Sequence, residues 1–109
     1  MRLLLKIEVD VDPGVRRVVL NGELDMETIV LLQEVVGKEG EHTLELDLSG
    51  VSFVDSTGLK GLLDINNNWQ QKGGQLLILH PQPDVAEVMQ LVGLDKLLTQ
   101  NGALTGKKR

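Results

Sequence analysis

Apolar and charged residues alternate at the start of the chain, with Leu3, Leu5, Ile7, Val9 and Val11 on one side and Lys6, Glu8 and Asp10 on the other. That period of two predicts a strand with one wet face. Asp12-Pro13-Gly14 then has turn chemistry, so Val15 to Leu20 is expected to return as a hairpin partner. After Asn21-Gly22-Glu23-Leu24, Asp25 stands as an N-cap before a helix whose Ile29, Leu32 and Val36 share one stripe, with a stop near Gly37. Leu44, Leu46 and Leu48 alternate with Glu45 and Asp47, a second pattern of a strand with one buried face.

Beyond Ser49-Gly50 the chain runs into Val54-Asp55-Ser56-Thr57-Gly58, and Leu59, Leu62 and Leu63 mark the stripe of a helix reaching about Lys72 before Gly73-Gly74. Leu76-Leu77-Ile78-Leu79 is short and wholly apolar, which predicts a central strand. Asp84 and Glu87 have capping-box spacing ahead of Val85, Val88, Met89 and Val92, and Gly93-Leu94 reads as a Schellman stop. The order strand, strand, helix, strand, helix, strand, helix predicts an α/β fold. Its sheet is mixed and mostly parallel, with four to five strands, an antiparallel N-terminal hairpin and about four helices. A parallel strand covered on both sides would read as unbroken apolar residues, so the alternation places the helices mainly on one face.

Composition narrows what such a fold could do. A chain of 109 residues accommodates one domain, residues 1–109, with a core expected at about 3–100 and a disordered tail at 101–109. Its net charge of -5 and its 2% aromatic content argue against direct nucleic-acid binding, which needs clustered cations or stacking platforms. No apolar run is long enough to cross a bilayer, and Lys6, Glu8 and Asp10 interrupt what would otherwise look like a signal segment. The absence of cysteine excludes disulfides and thiolate metal sites and fits a reducing, cytoplasmic setting. His42 and His80 read as loop-edge residues, so neither a metal nor a cofactor is expected.

The strand-to-helix turn at Ser56 invites an enzymatic reading, since a nucleophile elbow places its serine there. Only the second of the elbow's two glycines is present, His80 is the sole downstream histidine, and the chain is too short to build a pocket behind it. Gly58-Leu59-Lys60-Gly61 likewise lacks the spacing of a triphosphate loop, although Lys60 could touch a phosphate. Two readings of Asp55-Ser56-Thr57 remain open. One is helix capping, at about 1 kcal/mol for a cap. The other is a hydroxyl held at the positive end of a helix, reachable by a kinase and able to carry a phosphate on free N–H groups.

Several motifs, in order, carry a resemblance. They are Gly22-Glu23-Leu24-Asp25, Leu46-Asp47-Leu48-Ser49-Gly50-Val51 through Phe53-Val54-Asp55-Ser56-Thr57-Gly58-Leu59, Gly73-Gly74-Gln75-Leu76, Pro81, and Val92-Gly93-Leu94-Asp95-Lys96-Leu97. Together they resemble a STAS domain, and more closely the stand-alone anti-sigma-factor antagonists of bacteria. The resemblance implies no catalytic residue. It implies a partner switch in which Ser56 is the phosphoacceptor of an anti-sigma factor that is itself a serine kinase, with Thr57 the lesser candidate. The unphosphorylated protein would bind that kinase and free the sigma factor, and a serine phosphatase would reset it. Asp25, Asp55, Ser56, Thr57, Gly58 and Lys60 would form the partner-binding face. The chain would be a cytoplasmic monomer or weak dimer without membrane insertion. The rivals are a STAS subunit of a lipid-transport ATPase and a stressosome scaffold. Lys60, Gly61 and the polar Asn66-Asn67-Asn68 run depart from the usual pattern, and Trp69 reads as either a core anchor or a partner contact.

Overall fold

Pro13 and Gly14, the latter at φ +80°, turn the chain between β1 (Leu5–Asp12) and β2 (Val15–Leu24), which pair antiparallel in the expected hairpin. In the computed structural model that follows, residues 5–36 and 42–97 are described. Helix α1 (Ile29–Val36) buries Ile29, Leu32 and Val36, the stripe read from the sequence. Its expected stop at Gly37 lies outside the described residues, as does the tail expected at 101–109. Then come β3 (Thr43–Val54), α2 (Ser56–Gln71), β4 (Gln75–Leu79), α3 (Pro83–Leu91) and a 3₁₀ turn at Leu94–Leu97. The sheet has four strands in the order β1-β2-β3-β4, with β2, β3 and β4 parallel.

One face of this sheet carries the core. Val18, Leu20, Leu44, Leu46, Leu48, Leu76 and Ile78 are buried with Leu62, Ile65, Trp69, Val85 and Met89 of the helices. On the uncovered face Arg17 bonds Glu45 (2.9 Å) and lies 3.5 Å from both Asp10 and Asp12. The bond to Glu45, assisted by Asp12, raises the guanidinium pKa further, so Arg17 stays charged.

The position of β4, the cap of α3 and two stripe positions differ from expectation. β4 is an edge strand rather than a central one; its Leu77 and Leu79 are half-buried on the uncovered face. Helix α3 begins with Pro83 after an extended Gln82 that makes no side-chain cap bond, so Asp84 sits inside the first turn instead of capping it. Leu63 and Val92 are exposed, whereas Gly61, Ile65 and Trp69 complete the buried stripe of α2. Trp69 is a core residue whose indole N–H donates to the Val36 carbonyl (3.3 Å). Gly93 (φ +79°) ends the α3 segment and tucks Leu94 into the core, as the Schellman reading expected.

β3 is also longer than its first alternation suggested. Its buried positions run Leu44, Leu46, Leu48 and then shift to Val51 and Val54. Each shift coincides with an irregularity against β2, at Val19/Asn21 and at Gly22/Glu23, where β3 gains a residue on its partner. An extra residue flips the parity of every side chain beyond it. The two flips carry β2 and β3 together past the end of β4, whose last pair is Leu79 with Asp47. Residues 48–54 of β3 therefore project beyond β4, with the loops at Asp25 and Asp55 at their tip.

Candidate functional site

Both loops at this tip leave the C-terminal ends of parallel strands, the edge at which open α/β sheets present their functional groups. The Asp55 N–H donates to the Leu24 carbonyl (3.0 Å), which locks the end of β3 to the end of β2 and brings Asp25 beside the start of α2. Asp55 has extended backbone, and its Oδ1 accepts from the Gly58 N–H (2.8 Å), so Asp55 is the N-cap of α2. The Asp55 carbonyl accepts the first helical bond, from the Leu59 N–H (2.9 Å). Ser56 and Thr57 follow as the first two helical residues, and both are exposed.

With the cap supplied by Asp55, the Ser56 hydroxyl has no structural task among the described residues. The same holds for Thr57, whose hydroxyl takes no part in the cap. The N–H groups of these two residues lie ahead of the first helical bond and point along the positive end of the helix. A phosphate on Ser56 would find them there.

Gly58 sits behind this surface. It is buried, and a Cβ on it would come within 2.5 Å of the Leu24 carbonyl oxygen. Its contribution here is close approach of α2 to β2, which fixes the height of Ser56 above the sheet. Gly61 does the same one turn later, where a Cβ would collide with the side chain of Ile29 and push α1 from α2. Lys60 is exposed on the next turn and pairs with Asp64 (3.3 Å).

The tip also carries apolar groups that sequence reasoning did not single out. Met26, next to Asp25, is 70% exposed, and Phe53, two residues before Asp55, is 50% exposed. Phe53 is the only phenylalanine in the chain. Reading it as a surface residue needed the parity flips of β3, which no alternation pattern announces. The clue available was its position between buried Val51 and Val54, where both cannot share one face with a regular period of two.

Asp25, Asp55, Ser56, Thr57 and Lys60 are thus gathered on one end of the molecule, with Met26 and Phe53 beside them. Similarity to known proteins runs over the same span. The family model described as the STAS domain matches residues 6–105. An anti-sigma-B factor antagonist of Staphylococcus epidermidis is 31% identical over 100 residues, covering 89% of this chain and 93% of that protein. Among solved structures, an anti-sigma factor antagonist from Mycobacterium paratuberculosis aligns with a TM-score of 0.75 at 30% identity, over 86% of this chain and 82% of that one. The unphosphorylated form of the anti-sigma factor antagonist SpoIIAA aligns with a TM-score of 0.77 over 91% of this chain and 90% of that one. At 21% identity that likeness is one of fold. Matched by the family model across β1 to the 3₁₀ turn, and by a relative over nine-tenths of that relative's length, the chain belongs to the STAS domain family.

Proposed function

We propose that this protein is an anti-sigma-factor antagonist working as a phosphorylation-controlled partner switch. The observation that carries the reading is the exposed Ser56 hydroxyl at the first position of α2, left without a structural task because Asp55 makes the cap. Its relatives bear the names of anti-sigma factor antagonists, which is the activity taken over here.

In the unmodified state the tip offers a mixed surface: the apolar Met26 and Phe53, the carboxylate of Asp25, the hydroxyls of Ser56 and Thr57, and Lys60. An anti-sigma factor that is also a serine kinase docks there, and the sigma factor it held is released. That kinase supplies ATP, magnesium and the base. The Ser56 Oγ attacks the γ-phosphorus, ADP leaves, and the hydroxyl proton passes to the kinase. This chain contributes only the acceptor and the docking face.

The new phosphate adds about -1.5 to -2 charges at neutral pH. It arrives next to Asp55, at the end of the sheet whose other loop carries Asp25 and Glu27, so an apolar or acidic partner surface is expelled by desolvation and repulsion. The fold survives, because the free N–H groups of Ser56 and Thr57 receive the phosphate oxygens. A serine phosphatase returns the chain to its binding form. The cycle needs ATP and a sigma factor, and so belongs in the cytoplasm.

Incubation with the cognate kinase and ATP, followed by phosphosite mapping, should place one phosphate on Ser56. Ser56→Ala should hold the kinase persistently and Ser56→Asp should release it. Equal binding by both variants, or phosphate only at another residue, would sink the switch. A constitutive transport subunit would show that equal binding, and a scaffold subunit would elute as a large particle instead of a monomer or weak dimer.

A further inference from the structure

Helix α2 contains one basic and one acidic residue along its length, Lys60 and Asp64. They are paired with each other, Nζ to Oδ2 at 3.3 Å, with side chains 76% and 48% exposed. Ser56 lies four positions before Lys60, as Asp64 lies four after it. The three therefore stand in one row with the cation in the middle. Residues four apart on a helix have Cβ atoms about 5–6 Å apart, so the Lys60 ammonium can reach along the row in either direction.

The two directions are not equal. An acid placed N-terminal to its base is the stronger arrangement, because the anion then lies toward the positive end of the helix. Lys60 with Asp64 has the weaker order. Lys60 with a phosphate on Ser56 would have the stronger one, against an anion of up to two charges instead of one.

Among the described residues Lys60 is the one cationic side chain of α2, and it would add to what the free N–H groups at the start of the helix supply. Asp55 precedes Ser56, and the Glu23–Thr28 segment, tied to α2 through the Leu24 carbonyl, contains three acids, Glu23, Asp25 and Glu27, and no Lys or Arg in its sequence. Arg16 and Arg17 sit at the opposite end of β2, opposite Leu44 and Glu45.

We propose that Lys60 is the internal counter-ion of phosphorylated Ser56, exchanged from Asp64 when the phosphate arrives. The proposal rests on the reading of Ser56 as the acceptor. The exchange folds the ammonium over the start of α2 and leaves Asp64 bare, so modification rearranges charge along two turns of the docking face. A kinase that lets go and a phosphatase that engages would meet different surfaces.

The test uses the full chain with phosphoserine incorporated at position 56 during synthesis, titrated by phosphorus NMR. Lys60→Met should raise the second pKa of the phosphate by about 0.3 unit, because loss of the cation disfavours the dianion. Lys60→Arg should keep the wild-type value, and Asp64→Asn, which removes the competitor, should lower it slightly. These differences should collapse in about 1 M salt. A Lys60→Met titration that overlays the wild type overturns the proposal, as does a shift that persists unchanged at high salt. Because the phosphate is built in, the titration does not depend on a kinase; failure of the kinase to label Ser56 counts against the acceptor reading alone.

Discussion

The two loops at the tip of the sheet begin alike and end differently. Each starts with an aspartate at the end of a parallel strand and carries a hydroxyl residue within the next three positions: Asp25 with Thr28, and Asp55 with Ser56 and Thr57. In the first loop the hydroxyl is consumed. Thr28 is fully buried; its Oγ1 donates to the Glu23 carbonyl (2.6 Å) and accepts from the Asp25 N–H (2.9 Å). Asp25 Oδ1 in turn accepts from the N–H groups of Glu27 and Thr28 (3.0 Å each). In the second loop the aspartate reaches only the third residue on, Gly58, and the hydroxyls between stay outside. A hydroxyl three positions after the aspartate folds back into the turn, whereas one directly after it is carried outward at the head of the helix. Placement of two oxygen atoms separates a structural threonine from an addressable serine.

Substitutions can break this contrast, beginning where packing is tightest. Gly58→Ala should cost about 2–3 kcal/mol in chemical denaturation, since the added methyl meets the Leu24 carbonyl and forces α2 away from β2. Thr28→Val keeps the shape but strips partners from the Asp25 N–H and the Glu23 carbonyl, and should cost about 2 kcal/mol. Thr28→Ser should recover most of that loss. Asp55→Ala should cost about 1 kcal/mol, with faster amide exchange at Gly58 as its local sign. Ser56→Ala should fall within about 0.5 kcal/mol of the wild type while abolishing phosphate uptake. Were Ser56→Ala to destabilise as much as Thr28→Val, the two hydroxyls would share a structural role and the contrast would fail.

Much of this was legible in the chain. The Pro13-Gly14 hairpin, the Ile29/Leu32/Val36 stripe and the end of α2 before Gly73 follow from local chemistry, and the structure reproduces them. What local pattern could not convey is registry between distant strands. The two extra residues of β3 are defined only against β2, so Val51, Phe53 and Val54 gave no alternation to read. The edge position of β4 was hidden for a related reason. Leu77 and Leu79 are half-buried on the uncovered face, which makes an edge strand look like one covered on both sides.

At the candidate site, Asp55 and Ser56 were both singled out, but one sequence motif offered two tasks for three residues. The fold divides the labour: Asp55 takes the cap, Ser56 and Thr57 are exposed, and Gly58 sets the distance to β2. Met26 and Phe53 escaped notice because an exposed apolar residue is unremarkable in a sequence and informative only once its neighbours are known.

The strand order β1-β2-β3-β4 is also the chain order. Paired positions in the parallel part are separated by only 28 residues between β2 and β3 and 32 between β3 and β4, in the Arg17–Glu45 and Thr43–Gln75 contacts. Closing loops of that size has a modest entropy cost, and no strand must be threaded between two already joined. A chain emerging N-terminus first can add each strand to the free edge left by the one before. On that schedule the Leu24 carbonyl is waiting when Asp55 arrives, and the cap of α2 closes before β4 has been made.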